Sequence, residues 1–308
     1  MRWLITGAHG QLGSDLQVVL AAAAMPVAAE VAEPAADVVR ALGSAQLDIT
    51  DRAAIAAAVA DFAPDVIVNA AAYTAVDAAE TDEQRAYAVN ATGPALLAAE
   101  AVRSAAKLIT VSTDYVFDGR ADAPYPTGAA TAPQSAYGRT KLAGERAVRE
   151  LAPELGYVVR TAWVYGASGA NFVKTMIGLE SSRPTLSVVD DQCGSPTWSQ
   201  DLARGVVELA RGSAPAGIYH CTNGGSTTWY GFTRAIFAEL GADPERVLAT
   251  TTDKFPRPAP RPAYSVLSDA GWREAGLTPL PPWRSALHQA LSESAEAFGV
   301  ARPAGTAK

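Results

Sequence analysis

Short β-branched runs alternate with alanine-rich helical stretches through the first half of the chain. This alternation is typical of a parallel sheet whose strands are joined by helices. The predicted strands are Arg2 to Thr6, Asp37 to Leu42, Val66 to Asn69, Lys107 to Ser112 and Tyr157 to Thr161. The predicted helices are Gln11 to about Ala24, Asp51 to Phe62, about Asp82 to Ser104, and Ala136 to Leu151.

Local signals mark the ends and interruptions of these helices. Thr50 is predicted to be the N-cap of the second helix, since its hydroxyl can accept a hydrogen bond from an otherwise unpaired backbone N–H. Gly93-Pro94 predicts a kink or a break within the third helix. Residues 118–133 are rich in Pro, Gly and Asp and are predicted to form a loop.

The strict alternation weakens after about residue 165, so the second half is predicted to be less regular. Helices are predicted at Asn171 to Leu179, at Thr197 to Arg211 and at Ser226 to Leu240, the last ended by Gly241. The remaining predictions are extended segments at Leu186 to Val189 and Ile218 to His220, an irregular segment with four prolines at Phe255 to Pro262, and a frayed tail from Phe298.

The composition of the 308-residue chain is ordinary for a globular protein, with 49% hydrophobic and 19% charged residues. Lys plus Arg total 25 against 32 Asp plus Glu, which gives a net charge of −7. Bulk nucleic-acid binding requires a basic surface, so we expect no nucleic-acid partner. An anionic small ligand needs only a few well-placed cations and is compatible with this charge.

We expect a reduced, soluble cytoplasmic protein with no membrane association and no metal site. A glycine motif follows Met1 to Ile5 directly, which leaves no room for a signal peptide. The stretch Val18 to Ala32 contains Pro26 and Glu30 and is too weakly hydrophobic to span a bilayer, so we predict a helix end and an alanine-rich connection. Two cysteines and three scattered histidines provide neither a disulfide framework nor metal-ligand spacing.

The segment Gly7-Ala8-His9-Gly10-Gln11-Leu12-Gly13 follows the first predicted strand and opens the first helix. Glycines allow a tight turn and a close approach of phosphate, and the helix N-terminus offers N–H donors to a pyrophosphate. The spacing therefore predicts a dinucleotide site in an α/β fold with a Rossmann-type, doubly wound parallel sheet. His9 is expected to be a spacer.

The same pattern predicts two parts of the chain. Residues 1–165 are expected to form an NAD(P)-binding domain. Residues 166–308 are expected to form a smaller, mainly substrate-binding α/β part, with some segments returning to the first domain.

The end of the second strand bears on the choice of cofactor. A carboxylate there binds the ribose 2′-OH in NAD-preferring proteins, but this strand ends at Gly43 without one. Glu30 and Glu33 lie nearer the expected offset, within an alanine- and proline-rich insertion. Repulsion of a 2′-phosphate is then weak, so we expect NADPH, with NADH as the alternative. Two further residues stay open: Arg40 as a phosphate ligand or plain surface, and Asp48 as an adenine contact or a turn residue.

Tyr137 and Lys141 are four residues apart at the start of a predicted helix and share one helix face. A nearby ammonium lowers the pKa of a tyrosine from its usual ~10, which tunes the phenol for proton transfer near neutral pH. Thr113 follows the carboxyl end of the fourth strand, where ligands bind in open α/β sheets. It can therefore bond the same substrate oxygen as Tyr137.

Together these motifs resemble the extended short-chain dehydrogenase/reductase superfamily and, within it, the dTDP-4-dehydrorhamnose reductases. The resemblance runs from residue 1 to about 290. The chain departs from the family in the alanine-rich insertion before the second strand and in the missing acid at Gly43. The matching segments are Gly7 to Gly13, Leu47 to Thr50, Val68 to Asp77, Ala88 to Asn90, Ser112 to Gly119, Tyr137 to Lys141, Arg160 to Gly166, Asn171 to Lys174, Asp191 to Thr197 and Arg261 to Ser265.

The resemblance implies reduction of the C4 keto group of dTDP-4-dehydrorhamnose to give dTDP-L-rhamnose, with NAD(P)H as the hydride donor. Tyr137 would donate a proton to the C4 oxygen, Lys141 would hold the nicotinamide ribose, and Thr113 would orient the carbonyl. The implied cofactor contacts are Gly7, Gly10, Gln11, Leu12, Gly13, Asp48, Ile49, Ala72, Tyr73, Thr74, Tyr137 and Lys141. The implied substrate contacts are Thr113, Asp114, Tyr115 and Trp163 at the sugar, and Asn171, Lys174 and Arg261 at the diphosphate.

Several alternatives within this fold remain open. Related 4,6-dehydratases carry Asp-Glu after the threonine, whereas this chain has Asp114-Tyr115, and a phenol without an ammonium partner is a poor base. Simple reduction is therefore favoured. A 4-epimerase shares the Tyr–Lys pair, a ketoreductase for another dTDP-deoxysugar would have nearly the same motifs, and a non-catalytic regulatory subunit, as in methionine adenosyltransferase, has the same fold. Some family members bind Mg²⁺ at a dimer interface, but no acidic cluster maps to it here, and monomer and homodimer both stay open.

A few single residues also have two interpretations. Trp163 contacts the sugar or belongs to the core. Asn69 and Asn90 belong to a proton relay or bond the local backbone. Cys193 and Cys221 are expected to be inert thiols.

Overall fold

The computed structural model describes residues 1–23 and 37–300. The proposed connection after the first helix, with Glu30 and Glu33, and the tail beyond residue 300 lie outside these ranges. The strands are β1 (Arg2–Thr6), β2 (Val38–Leu42), β3 (Val66–Asn69), β4 (Lys107–Thr113), β5 (Gly156–Thr161), β6 (Val164–Tyr165), β7 (Leu186–Val189), β8 (Cys193–Gly194), β9 (Thr197–Trp198), β10 (Ile218–His220), β11 (Thr227–Thr228) and β12 (Val247–Thr250). The α-helices are α1 (Gln11–Ala23), α2 (Arg52–Phe62), α3 (Val76–Ala79), α4 (Glu83–Tyr87), α5 (Gly93–Ser104), α6 (Ala136–Leu151), α7 (Phe172–Ser182), α8 (Ser199–Arg211), α9 (Trp229–Glu239), α10 (Ala270–Glu274), α11 (Trp283–Glu293) and α12 (Ala295–Phe298).

Six parallel strands form the central sheet in the order β10-β5-β4-β3-β1-β2. The chain runs outward from β1 to β2 and then crosses back to β3 on the other side of β1. This reversal opens a crevice at the carboxyl ends of β1 and β3, which is where open α/β sheets bind their ligands. The predicted doubly wound α/β fold is confirmed.

Side chains of the central strands alternate between two apolar layers, because successive residues of a strand point to opposite faces of the sheet. One layer packs under α1 and α8, and the other under α2, α5 and α6. A fully buried Val, Leu or Ile side chain contributes roughly 1.5–3 kcal/mol. The strands supply Ile5, Val68, Ile109 and Val159 to the first layer and Leu4, Ile67, Leu108 and Val158 to the second.

The second half contributes a strand to this sheet and builds a separate apolar cluster. Strand β10 pairs with β5, and α8 packs on the α1 side of the sheet. Helices α7, α9 and α11 enclose the other cluster, with Trp198 at its edge. Short two-stranded pairings, β11 with β8, β12 with β7 and β6 with β9, surround it.

Several predicted boundaries are wrong in detail. The N-cap of α2 is Asp51 rather than Thr50: its carboxylate accepts from Ala53 N at 2.8 Å and Ala54 N at 3.1 Å. The irregularity expected at Gly93-Pro94 instead lies just before it, in a π-helical segment at Ala88–Thr92. Phe298, the expected start of a frayed tail, is buried.

Two predicted helices begin later than expected. Thr197 belongs to β9, and α8 begins at Ser199. Helix α9 begins at Trp229, because Thr228 caps it by accepting from Gly231 N at 3.0 Å.

Replacing Asp51 should test the α2 cap. We expect Asp51→Ala to lower the free energy of unfolding by about 1 kcal/mol, because two backbone N–H groups lose their acceptor. Thr50→Ala removes an exposed bond to Asp48 and should change it by less than about 0.5 kcal/mol. Urea unfolding of both variants measures the difference, and an equal or larger loss from Thr50→Ala would return the cap to Thr50.

Candidate active site

The glycine loop between β1 and α1 packs tightly against the neighbouring backbone. Gly7 has φ +72°, and a Cβ there would lie 2.6 Å from Ala71 N. A Cβ at Gly13 would lie 2.1 Å from Gly7 O, while Gly10 N donates to Gly7 O at 3.0 Å. A side chain at Gly7 would therefore push the loop away from the segment after β3, and a side chain at Gly13 would push α1 away from the loop. The N-terminus of α1 is left facing the crevice, as dinucleotide binding requires.

A cleft of about 800 Å³ lies above this loop. Its volume and its glycine and alanine walls suit an extended dinucleotide such as NAD(P)H. Gly13 lies behind the loop, and Tyr137 and Lys141 lie in the adjoining cavity; every other residue predicted to contact the cofactor lines the cleft. These are Gly7, Gly10, Gln11, Leu12, Asp48, Ile49, Ala72, Tyr73 and Thr74.

As expected from the sequence, no carboxylate directly follows β2. Gly43 and Ser44 line the cleft, and a Cβ at Gly43 would lie 2.3 Å from the His9 ring. The ring of His9, which was expected to be a spacer, lies beside Gly43. Arg40 forms an ion pair with Asp61.

Asp48 has the geometry of a turn residue at the rim of the cleft. Its carboxylate accepts from both the backbone N and the hydroxyl of Thr50 at 2.8 Å. These bonds hold the pKa of Asp48 below its usual value. The side chain is exposed, so the turn role and contact with a bound ligand are compatible.

Asn90, in the π-helical segment, holds the loop that follows β3. Its Oδ1 accepts from Tyr73 N at 2.9 Å, and its Nδ2 donates to Tyr73 O at 3.1 Å and to Thr140 Oγ1 at 3.2 Å. This supports the backbone-bonding interpretation and connects the loop to α6. Asn69 is different: it bonds the side chains of Thr6 and Thr110.

Thr113, Tyr137 and Lys141 line one cavity of about 460 Å³. Thr113 is the last residue of β4, and α6 begins at the N-cap Ser135, which accepts from Gly138 N at 3.1 Å. The cavity and the dinucleotide cleft share walls at Gln11, Leu12, Ala70, Ala71, Ala72, Thr74 and Val164. A ligand in the cleft therefore reaches the three side chains directly.

The ionisation of this pair differs from the expectation. Burial raises the pKa of Tyr137 to about 12, opposed by the Thr113 hydroxyl and reinforced by Asp114. Lys141 Nζ donates to Val111 O at 2.6 Å, and burial lowers the pKa of Lys141 to about 8 against the raising effect of Glu145. The expected lowering of the Tyr137 pKa is not found, because burial outweighs other effects at the phenol. Tyr137 is a protonated hydroxyl and Lys141 an ammonium at neutral pH.

Asp114 and Tyr115 form the next part of the cavity wall. Thr113 Oγ1 donates to Asp114 Oδ1 at 2.9 Å, and the second oxygen, Oδ2, has no partner among the described residues. Burial raises the pKa of Asp114 to about 6, partly offset by Ser265 and Thr113. The Tyr115 ring meets Tyr137 edge to face with centroids 5.6 Å apart, and burial raises the pKa of Tyr115. Asp114 thus brings a carboxyl oxygen without a partner among the described residues to the cavity wall, and Tyr115 remains a neutral phenol.

An aromatic wall faces these polar residues. Trp163 has φ +48° and stacks on Trp229 with centroids 3.5 Å apart, while Phe172 contacts Trp229 at 4.4 Å. All three rings and Phe232 line the cavity and also pack against the apolar cluster of the second half. Trp163 therefore packs against the core and also lines the cavity, and its contact with the sugar stays a prediction. The sequence prediction missed Trp229 and Phe232, although an aromatic-rich start to a capped helix was visible.

The three residues predicted at the diphosphate are engaged within the protein. Asn171 caps α7 and donates to Gly166 O at 2.8 Å and Gln11 Oε1 at 3.1 Å. Lys174 Nζ donates to Ala167 O at 2.6 Å. Neither side chain lines the catalytic cavity.

Arg261 lies beyond Tyr115, in a neighbouring cavity of about 230 Å³. Its guanidinium pairs with Asp77 at 2.8 Å and donates to Ala259 O at 3.0 Å. A ligand phosphate that binds the Arg261 guanidinium would compete with the Asp77 carboxylate for it.

Residues 1–23 and 37–300 contain no group of three or more His, Cys, Asp or Glu side chains able to hold a metal ion. No helix within these ranges has the length and apolar character needed to cross a bilayer. Cys221 is buried, which raises its pKa, and Cys193 is half-buried.

Comparison with known proteins gives this site a family. Residues 1–296 match the family model of the RmlD substrate binding domain. The chain is 50% identical to a dTDP-4-dehydrorhamnose reductase of Streptomyces griseus, over 94% of this chain and 93% of that protein. It is 49% identical, over 95% of each chain, to a probable dTDP-4,6-dihydroxy-2-methyloxan-3-one 4-ketoreductase of Streptomyces antibioticus.

A solved structure gives the same answer for the fold. The dTDP-4-dehydrorhamnose reductase of Bacillus anthracis, crystallised in complex with NADP, superposes with a TM-score of 0.86 at 38% identity, covering 95% of this chain and 99% of that one. The chain therefore belongs to the dTDP-4-dehydrorhamnose reductase family of NAD(P)H-dependent oxidoreductases.

Proposed function

We propose that this chain reduces the C4 keto group of dTDP-4-dehydrorhamnose (dTDP-4-dehydro-6-deoxy-L-mannose) to give dTDP-L-rhamnose, with NADPH as the preferred cofactor and NADH as the alternative. One observation carries the proposal: Thr113, Tyr137 and Lys141 line a single cavity that opens into the dinucleotide cleft. The name of the Streptomyces griseus relative supports the substrate, and the NADP complex of the Bacillus anthracis relative supports the cofactor.

In this proposal the reduction divides between the cofactor and three side chains. Bound in the cleft, the reduced nicotinamide supplies the hydride that C4 accepts. Tyr137 gives its phenolic proton to the C4 oxygen: the pKa raised to about 12 keeps the phenol protonated at neutral pH, and the alkoxide formed at C4 is a still stronger base. Thr113 orients the carbonyl by a hydrogen bond, for which its hydroxyl exchanges Asp114 Oδ1 for the substrate oxygen. The Lys141 ammonium stabilises the phenolate left on Tyr137 and holds the nicotinamide ribose.

Substrate recognition in this proposal uses both halves of the chain. Asp114 and Tyr115 bind sugar hydroxyls, while Trp163 provides an apolar face. Asn171, Lys174 and Arg261 remain the proposed diphosphate contacts, which requires them to exchange their internal partners for phosphate oxygens. We likewise retain residues 1–165 as the cofactor part and 166–308 as the mainly substrate-binding part, with β10 returning to the first sheet.

A ketoreductase for another dTDP-linked deoxysugar is the second candidate. It is favoured by the 49% identity to the Streptomyces antibioticus protein, whose name describes a different 4-keto sugar. The two candidates share the reaction and differ in the sugar, so they make the same predictions for Tyr137 and Lys141.

An assay of the purified chain should separate these functions. With NADPH and dTDP-4-dehydrorhamnose we expect loss of absorbance at 340 nm in step with dTDP-L-rhamnose formation. A panel of dTDP-, UDP- and GDP-linked 4-keto sugars serves as the specificity control. Faster turnover of another dTDP sugar would favour the second candidate, and binding without turnover would favour a regulatory subunit.

Removing the proposed proton donor should abolish most turnover. Tyr137→Phe should reduce kcat by about 10²–10⁴-fold, because positioned acids contribute that much to proton transfer. Cofactor affinity, measured by fluorescence titration, should stay near that of the unmodified chain. Tyr115→Phe is the matched control and should act mainly on KM; near-normal kcat in Tyr137→Phe would exclude Tyr137 as the donor.

A carboxylate at the end of β2 should change cofactor choice. Ser44 is exposed on the wall of the cleft, where the sequence lacks an acid. Ser44→Asp should weaken NADPH binding about tenfold by repelling the 2′-phosphate, and leave NADH binding nearly unchanged. Ser44→Asn controls for side-chain size, and equal weakening of both cofactors would show that Ser44 does not face the 2′ position.

A further inference from the structure

A completely buried ion pair lies behind the catalytic cavity. Glu145 of α6 and Arg160 of β5 have side chains only 3% and 2% exposed. Arg160 Nη2 donates to Glu145 Oε2 at 2.6 Å, and Arg160 Nε donates to Oε1 at 2.9 Å. Ser112 Oγ donates to the same Oε1 at 2.5 Å. The carboxylate thus holds three elements, α6, β4 and β5, at one point.

Stability alone is a poor reason to have such a pair. Removing two charges from water is costly, and apolar side chains of similar volume often fill such a position as well or better. Arg160 is further satisfied by Thr127 O at 3.2 Å and covers the Phe117 ring at 5.0 Å. The pair is therefore complete and rigid, and its position calls for a role beyond packing.

The pair lies directly next to the catalytic side chains. Glu145 is four residues after Lys141, one helical turn away on the same face of α6. Ser112 precedes Thr113 on β4 and pairs in register with Arg160. The Ser112 contact therefore fixes the end of β4 that carries Thr113, and the Arg160 contact fixes the neighbouring strand β5 against the helix that carries Tyr137 and Lys141.

The charges around Lys141 make Glu145 its main counter-charge. From α6 itself come Tyr137 and Glu145, from the turn after β4 comes Asp114, and from β5 comes Arg160. His220 of β10 is neutral, because burial and Arg160 lower its pKa to about 3. Glu80, just after α3, accepts from Ala136 N, and Glu83 of α4 accepts from Arg139, both at the first turn of α6. The π-helical segment contributes the neutral Asn90. Among these groups, Glu145 is the one that raises the pKa of Lys141 against burial.

We propose that Glu145 is a positioning residue for the catalytic lysine: it fixes β4 and β5 against α6 through Ser112 and Arg160 and supplies the negative charge that keeps Lys141 an ammonium. The catalytic consequence rests on the proposed function, whereas the effect on Lys141 does not. The ammonium is present below pH about 8 and is lost as the pH rises through that value.

The test uses the double variant Glu145→Gln/Arg160→Gln, which removes both charges of the ion pair together, so that neither Glu145 nor Arg160 is left without the other. Glu145→Asp is the conservative variant that keeps the charge. The matched control is Glu83→Gln/Arg139→Gln, which removes an exposed ion pair between α6 and α4. The sequence has five lysines, so ¹³Cε-lysine NMR resolves Lys141, with Lys141→Arg for its assignment.

In the double variant we expect the Lys141 pKa to fall by up to about one unit, a tenfold change in proton affinity, because Glu145 is the charge that raises it. The loss of the Arg160 charge, which opposes Glu145, makes the fall smaller than the loss of Glu145 alone would give. The basic limb of kcat/KM should move to lower pH by the same amount, with kcat lowered more than KM is raised. Glu145→Asp should recover most of the shift, and the control pair should leave the Lys141 pKa unchanged.

A Lys141 pKa unchanged in the double variant, or shifted equally by the surface control, overturns the proposal. A shifted Lys141 pKa without a shifted rate profile leaves the positioning role intact and contradicts the catalytic role of Lys141. If the double variant does not fold, Glu145→Asp decides. Because aspartate is shorter than glutamate, its carboxylate lies farther from Ser112 and Arg160, which should lower kcat several-fold while the Lys141 pKa stays near 8. An unchanged kcat would contradict the positioning role.

Discussion

The close approach of α6 to the backbone on either side of it is the constraint on which the site depends. A Cβ at Gly138 would lie 2.3 Å from Tyr115 O, and a Cβ at Gly144 would lie 2.1 Å from Asn90 O. The helix therefore rests on the main chain at two points, with Lys141 between them. Since backbone contacts are far less adaptable than side-chain packing, the phenol and the ammonium keep a fixed position relative to the end of β4.

Much of the fold follows from local sequence. Continuous apolar runs such as Val66 to Val68 gave strand positions within one residue, because such runs are stable only when both faces are buried. Cap chemistry was less certain. Thr50 and Asp51 are both good caps, and the choice depends on the loop in which Asp48 takes the Thr50 hydroxyl. The sequence does not contain that information in any local pattern.

The candidate site was predictable in its spacing and less so in its electrostatics. A separation of four residues places Tyr137 and Lys141 on one face, but their pKa values depend on burial by distant segments, which no helical pattern records. Arg261 shows the same limit: its partner Asp77 lies 184 residues away. Trp163, between β5 and β6, stacks on Trp229 of α9, a contact that no local pattern indicates. It also adopts a left-handed backbone conformation that a sequence does not predict for tryptophan.

The two sides of the cavity come from different parts of the structure. The polar side of the cavity comes from β4 and α6, whose positions are fixed by backbone contacts and by the buried carboxylate of Glu145. The opposite side consists of aromatic rings attached to the apolar cluster around α7, α9 and α11. Rings packed on a separate cluster can change with little effect on the polar side, because substitutions without shared contacts act nearly independently. In the proposed function this arrangement would let relatives keep one ketone reduction while the aromatic wall changes, so we expect differences at Trp163, Trp229 and Phe232 to bear on which dTDP-linked sugar is accepted.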